Sequence, residues 1–132
     1  MEQGRILILG QTKEHTYEVR NLLDNRKFEV EIVLSAEVAK TVLVQRFMNL
    51  LVLHTEVPEE AMKDFIEFCT TQGVELPLFI FGEETSRVSA LVPSWMEVKC
   101  FDKPYAADQV FGAIHELELK NSQATVGLNP DV

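Results

Sequence analysis

The chain has 132 residues, 46% of them hydrophobic and 25% charged, which is typical of one folded domain with a single core. Its formal net charge of −9 argues against direct nucleic-acid binding by this domain, because that role requires clustered lysine and arginine. No apolar run approaches the roughly 18 residues that cross a bilayer, and the N-terminus lacks a signal-peptide pattern. We therefore expect a cytoplasmic protein with no membrane partner.

Short apolar runs recur along the chain and predict five buried strands. The first run ends at a glycine, the second alternates with charged residues, and the fourth begins at a proline. The predicted strands are residues 5–10, 28–34, 50–53, 77–82 and 98–101.

Apolar residues at helical spacing lie between and after these runs. Thr12 and Ser35 are in position to cap the first two helices, Pro58 begins the third, and Pro93 ends a fourth over residues 85–92. The residues predicted to face the core are Val19, Leu22 and Leu23; Val38, Val42 and Leu43; Met62, Phe65, Ile66 and Cys69; and Val110, Ala113, Ile114 and Leu117.

Five strand–helix units predict a flavodoxin-like α/β fold over residues 1–120, in which helices cover both faces of a parallel sheet with the order 2-1-3-4-5. From Asn121 onward the sequence is polar and has no apolar pattern. Residues 121–132 are therefore predicted to be a tail, or a linker to an effector domain that follows residue 120.

Two segments, residues 49–58 and 100–105, resemble bacterial response-regulator receiver domains, and the resemblance extends over roughly residues 5–119. In the first segment His54 stands at the end of the third strand, where receivers carry the aspartate that is phosphorylated. In the second segment the lysine–proline pair of the family is kept as Lys103-Pro104.

The same resemblance identifies what the site lacks. Gly10 and Gln11 stand where receivers carry two acidic residues that help to hold magnesium, an ion that prefers carboxylate and other oxygen ligands. Gly82 replaces the hydroxyl residue of the receiver switch and Cys100 replaces its aromatic residue. We therefore expect a degenerate receiver that has no metal, no cofactor and no enzymatic activity.

Three interpretations of His54 remain open at this stage. In the first, His54 accepts a phosphoryl group on nitrogen; in the second, it senses pH or a ligand; in the third, it is a strand-end histidine hydrogen-bonded to the nearby backbone. Lys103 has lost the acidic cluster that it pairs with in receivers, so Glu56 or Glu83 is expected to supply its counter-charge. Cys100 is expected to pack as a strand thiol under a helix.

The resemblance implies a signalling module that binds a protein partner or a second copy of itself. Receivers commonly use the surface that corresponds here to residues 85–120, where the candidate interface residues are Arg87, Trp95, Lys99 and Tyr105. Trp95 either forms part of an exposed apolar corner or covers the sheet edge. The alternative function is a phosphoacceptor or a ligand- or pH-sensing domain that uses the altered pocket around His54.

Overall fold

The computed structural model describes residues 4–23 and 28–127, with side chains described as far as residue 119. One parallel sheet has the strand order β2-β1-β3-β4-β5, which confirms the predicted fold and order. The elements in chain order are β1 (Gly4–Leu9), α1 (Lys13–Leu23), β2 (Phe28–Val33), α2 (Ala36–Gln45), β3 (Leu50–His54), α3 (Glu59–Thr71), β4 (Leu78–Gly82), α4 (Thr85–Ser89), β5 (Val98–Asp102) and α5 (Ala107–Gly127).

The sheet separates two apolar clusters, and this explains why the central strands β1, β3 and β4 are nearly continuous apolar runs. In β1, Leu7 and Leu9 pack with α2, α3 and α4, whereas Ile6 and Ile8 pack with α1 and α5 on the opposite face. Because successive side chains of a strand point to opposite faces, a strand covered on both sides must be apolar at every position.

The predicted helix faces are correct for α3 and α5, whose core-facing residues are all buried. In α2, Ser35 caps the helix as predicted, accepting a hydrogen bond from the Val38 N–H at 3.4 Å. The inward orientation predicted for Val38 is wrong, because Val38 is exposed and the buried stripe runs through Ala39 and Val42 instead. A shift of one helical position turns a side chain by about 100°.

Two element bounds differ from the prediction. α4 ends at Ser89 rather than at residue 92, because the N–H groups of Leu91 and Val92 bond to carbonyls three residues back and form tight turns before Pro93. α5 continues to Gly127, so residues 121–127 are helical rather than irregular. Their assignment as a tail or linker remains a prediction. Within the described residues, no helix is both long enough and apolar enough to cross a membrane.

Candidate functional site

The carboxyl ends of β1, β3, β4 and β5 meet at one edge of the sheet, where a cavity of about 360 Å³ opens. His54, Gly82 and Lys103 line it, so the structure brings together three of the six residues predicted for the altered pocket. The other three, Gly10, Gln11 and Cys100, do not line this cavity. The cavity wall also includes His15, Thr55, Glu56, Glu83, Glu84 and Arg87.

His54 is the last residue of β3, and only 5% of its surface is exposed. Its Nδ1 accepts a hydrogen bond from the Glu56 backbone N–H at 3.0 Å, as expected for a strand-end histidine. The neutral ring therefore carries its proton on Nε2, which is buried and has no hydrogen-bond partner within the described residues. Burial lowers the pKa of His54 below its ordinary value, although the Glu56 carboxylate opposes this shift. His54 is thus held as a neutral, enclosed imidazole.

A second histidine lies over the first. The ring of His15, from the first turn of α1, stacks on that of His54 with centroids 5.7 Å apart and planes 10° from parallel. His15 Nδ1 is 2.8 Å from Glu56 Oε1, and the Thr12 hydroxyl donates to Glu56 Oε2 at 3.1 Å. Burial raises the pKa of Glu56, but these two hydrogen bonds outweigh it and leave the pKa below its ordinary value. Glu56 is therefore a carboxylate held in place by two side chains.

Threonines occupy the space next to Gly10 and Gly82, two of the residues predicted for the altered pocket. A Cβ built on Gly10 would overlap Thr16 Oγ1 and lie 3.1 Å from Thr16 Cβ. A Cβ built on Gly82 would overlap Thr55 Oγ1 and lie 3.1 Å from Thr55 Cβ. Gly82 also has a φ of 134°, which side-chain-bearing residues rarely adopt. The Thr55 hydroxyl accepts the Glu83 N–H at 3.0 Å, so it is a structural part of the β4 terminus.

Lys103 finds a different partner from the one expected. Its Nζ lies 3.4 Å from Glu18 Oε1 on α1 and 5.9 Å from the centre of the Tyr105 ring. The prediction that Glu56 or Glu83 supplies the counter-charge is therefore wrong. Glu56 is already bound to His15 and Thr12, and α1 passes close enough to β5 to present Glu18.

Cys100 is exposed, so the expectation that it packs under a helix is also wrong. It lies on β5, the edge strand, which has a neighbouring strand only on the β4 side. The end of β5 contributes Asp102 instead, whose Oδ1 accepts both the backbone N–H and the hydroxyl of Thr85 at 3.0 and 2.9 Å. The hydrogen bond from the Thr85 backbone, and to a lesser extent that from its hydroxyl, lowers the pKa of Asp102. Together the two bonds fix the start of α4.

The four candidate interface residues differ in how accessible they are. Trp95 is 49% exposed, whereas Tyr105 is half-buried with its ring packed edge-on against Phe81. Arg87 forms an ion pair with Glu59 at 3.0 Å and Lys99 forms one with Glu116 at 3.1 Å. Of the four, Trp95 therefore offers the exposed apolar surface.

The sequence-based prediction did not place Thr12 and His15, near the start of α1, in the site. It also did not include Thr55, the residue after His54. Thr12 lies in the turn that follows β1 and His15 lies in the first turn of α1, so both are at the same sheet edge as His54. That topology was the available signal. The roles of Thr16 and Thr55 depend on their distances to glycines, which the sequence does not reveal.

The sequence matches no protein-family profile and no curated protein. Solved structures are similar to it. A signal receiver domain of an HD domain-containing protein from Pseudomonas fluorescens Pf-5 gives a TM-score of 0.76 at 15% identity, over 95% of this chain and 94% of that one. The signal receiver domain of a putative LuxO repressor protein from Vibrio parahaemolyticus gives 0.77 at 13% identity, over 98% and 99%. Full-length FixJ from B. japonicum gives 0.75 at 17% identity, over 95% of this chain and 62% of that chain. At these identities the likeness establishes a receiver-like fold.

Proposed function

We propose that this chain is an atypical receiver domain of signal transduction that works without aspartyl phosphorylation, through recognition of a protein partner or of a second copy. The observation that carries the proposal is the state of His54. At the position of the receiver aspartate stands a neutral imidazole with one nitrogen bonded to the Glu56 amide and the other enclosed. A side chain in that state cannot form an acyl phosphate, and its burial also weighs against phosphorylation on nitrogen.

The environment of His54 supports the same proposal. Magnesium-assisted phosphoryl transfer needs carboxylates that hold the ion. Gly10 has no side chain, and the Glu56 carboxylate is held by His15 and Thr12. Over the described residues, no three His, Cys, Asp or Glu side chains are arranged to hold a metal ion. The receiver switch likewise lacks its hydroxyl at Gly82 and its ring at Cys100.

Burial also weighs against the alternative in which His54 senses pH near neutrality. Because desolvation lowers the pKa of His54, its protonation is displaced to more acidic solution than that of an exposed histidine. The proposed domain limits are residues 1–120 with a tail or linker after them. This chain covers 62% of full-length FixJ, so that protein has further residues, and an effector domain after residue 120 of this chain remains a prediction.

Incubation with acetyl phosphate and magnesium is expected to give no aspartyl phosphate. The readout is intact mass, followed by alkali treatment, because acyl phosphates hydrolyse in alkali. His54→Asp is expected to remain unmodified as well, since Gly10 and Gln11 still provide no acidic ligands for the ion. A magnesium-dependent, alkali-labile adduct on the wild-type chain would contradict the proposal.

Trp95→Ala is expected to weaken association of the chain by about tenfold or more if Trp95 lies at the centre of the contact, as aromatic anchors commonly do. Sedimentation velocity over a concentration series measures the self-association version. Acetyl phosphate should leave the sedimentation profile unchanged.

Phe47→Ala is the matched control, because Phe47 is an exposed aromatic that follows α2, outside the 85–120 surface. Equal effects of the two substitutions would argue against this surface as the interface. A wild-type chain that stays monomeric at every concentration would exclude the second copy and leave a different protein as the partner.

A further inference from the structure

Of the two stacked imidazoles at the sheet edge, only His15 can be reached by a reagent. Both nitrogens of His54 are inaccessible, one in a hydrogen bond and one enclosed. The His15 side chain is 37% exposed. Within the part of the chain that the structure describes, its Nε2 has no hydrogen-bond partner and is not among the enclosed polar atoms. A free imidazole nitrogen therefore faces the solvent at the mouth of the cavity.

Glu56 orients both rings, using a different group for each. Its backbone N–H fixes Nδ1 of His54, and its carboxylate, 2.8 Å away, fixes Nδ1 of His15. A carboxylate on Nδ1 holds the proton there, so the lone pair of the neutral His15 ring lies on Nε2.

We propose that His15 is a phosphoryl acceptor at Nε2, with a phosphoramidate or phosphohistidine as the class of donor. In this step the Nε2 lone pair forms an N–P bond, and the P–N bond of the donor breaks. The donor nitrogen leaves with the bonding electrons, as ammonia or as a neutral imidazole. The His15 ring becomes a phospho-imidazolium whose Nδ1 proton stays in the hydrogen bond to Glu56, so charge and protons balance without another reactant.

The surroundings allow this product. Because His15 lies in the first turn of an 11-residue helix, the positive end of the helix dipole is close to the phosphoryl group. Lys103 and Arg87 line the same cavity but are paired with Glu18 and Glu59, and the carboxylates of Glu56, Glu83 and Glu84 line it as well. His54 beneath the ring is kept neutral by burial and adds no charge of its own. The orientation of His15 by Glu56, rather than the net field, is thus the basis of the proposed reactivity.

The test is phosphorylation of the full chain by potassium phosphoramidate without magnesium, followed by intact mass and site mapping. The chain has three histidines, and His115, 69% exposed on α5, is an internal reference because its Nδ1 lies 3.8 Å from Glu118, beyond hydrogen-bond distance. His15 is expected to react about tenfold faster than His115, to give an alkali-stable, acid-labile product. His15→Gln should abolish the fast phase, and His115→Gln should leave it unchanged.

Glu56→Ala tests the positioning role, since it removes the carboxylate and keeps the backbone N–H that bonds to His54. The His15 rate should fall about tenfold, to that of His115, while the His115 rate stays the same. Nitrogen NMR of the neutral His15 ring should show a proton on Nδ1 in the wild type and loss of that preference in Glu56→Ala.

Equal rates at His15 and His115 in the folded chain would overturn the proposal, and so would a Glu56→Ala variant with an unchanged His15 rate. Neither result bears on the proposed function, because that function is tested by a magnesium-dependent, alkali-labile acyl phosphate. The two hypotheses therefore fail in separate experiments.

Discussion

Gly82→Thr is expected to lower the free energy of unfolding by about 4 kcal/mol. Two costs add at this position. The φ of 134° is strained for any side chain, and a Cβ would overlap Thr55 Oγ1. Urea unfolding followed by circular dichroism measures the change. Since domains of this size have stabilities of about 5–15 kcal/mol, the variant should be close to unfolding.

Glycines elsewhere in the chain separate the two costs. Gly73, just after α3, has a φ of 68° with open space around it, so Gly73→Ala should cost about 1 kcal/mol through conformation alone. Gly112 in α5 has open space and no positive φ, so Gly112→Ala should stabilise by up to about 1 kcal/mol.

The double variant Gly82→Thr with Thr55→Ala should recover about 2 kcal/mol, the steric part of the loss, because the φ remains strained. If Gly82→Thr unfolds no more easily than Gly73→Ala, the steric argument at the β4 terminus is wrong.

Most of the fold could be predicted because its signals are local. The stripe of Met62, Phe65, Ile66 and Cys69 at helical spacing and the continuous apolar runs require no knowledge of distant contacts. The errors occur where a neighbouring element decides the outcome. Val38 was placed one helical position from the buried stripe. α5 continues past the last apolar residue of its pattern because extending a helix that is already docked costs little.

The candidate site could be predicted only at the positions where β-strands end. His54, Gly82 and Lys103 follow from strand ends and are found together in the cavity. The partner of Lys103 could not be predicted, because Glu18 is 85 positions earlier in the chain and reaches β5 only through the packing of α1. His15 was missed because the prediction considered residues at strand ends, whereas His15 lies on α1 and stacks on His54 from there.

The same threonine-beside-glycine arrangement appears on both sides of His54, which indicates that the absence of a side chain at Gly10 and Gly82 is coupled to packing. At Gly10 and at Gly82, a threonine hydroxyl takes the volume in which a side chain would begin. Thr16 is fully buried and its hydroxyl donates to the Thr12 carbonyl at 2.6 Å, so it cannot turn away without losing that bond. A single substitution of Gly10 or of Gly82 therefore meets an occupied space.

Gly10→Ala tests this coupling at the position without backbone strain. Because Gly10 has no positive φ, alanine fits its backbone, and only the overlap with Thr16 opposes it. We expect a loss of about 2 kcal/mol in the free energy of unfolding, measured by urea titration. Thr16→Ala alone should cost about 1 kcal/mol through its lost hydrogen bond and methyl group.

The double variant Gly10→Ala with Thr16→Ala should be no less stable than Thr16→Ala alone, because the smaller residue at 16 frees the space that the new methyl group needs. The coupling energy of this cycle is then about 2 kcal/mol. The double variant Gly82→Thr with Thr55→Ala, by contrast, is expected to recover only part of the stability lost in Gly82→Thr. Comparison of the Gly10–Thr16 and Gly82–Thr55 cycles therefore distinguishes occupied space from backbone strain. Simple addition of the two single losses would mean that Thr16 does not exclude a side chain at position 10. In that case a side chain could be introduced at position 10 by one substitution, and the glycine there would no longer have a packing explanation.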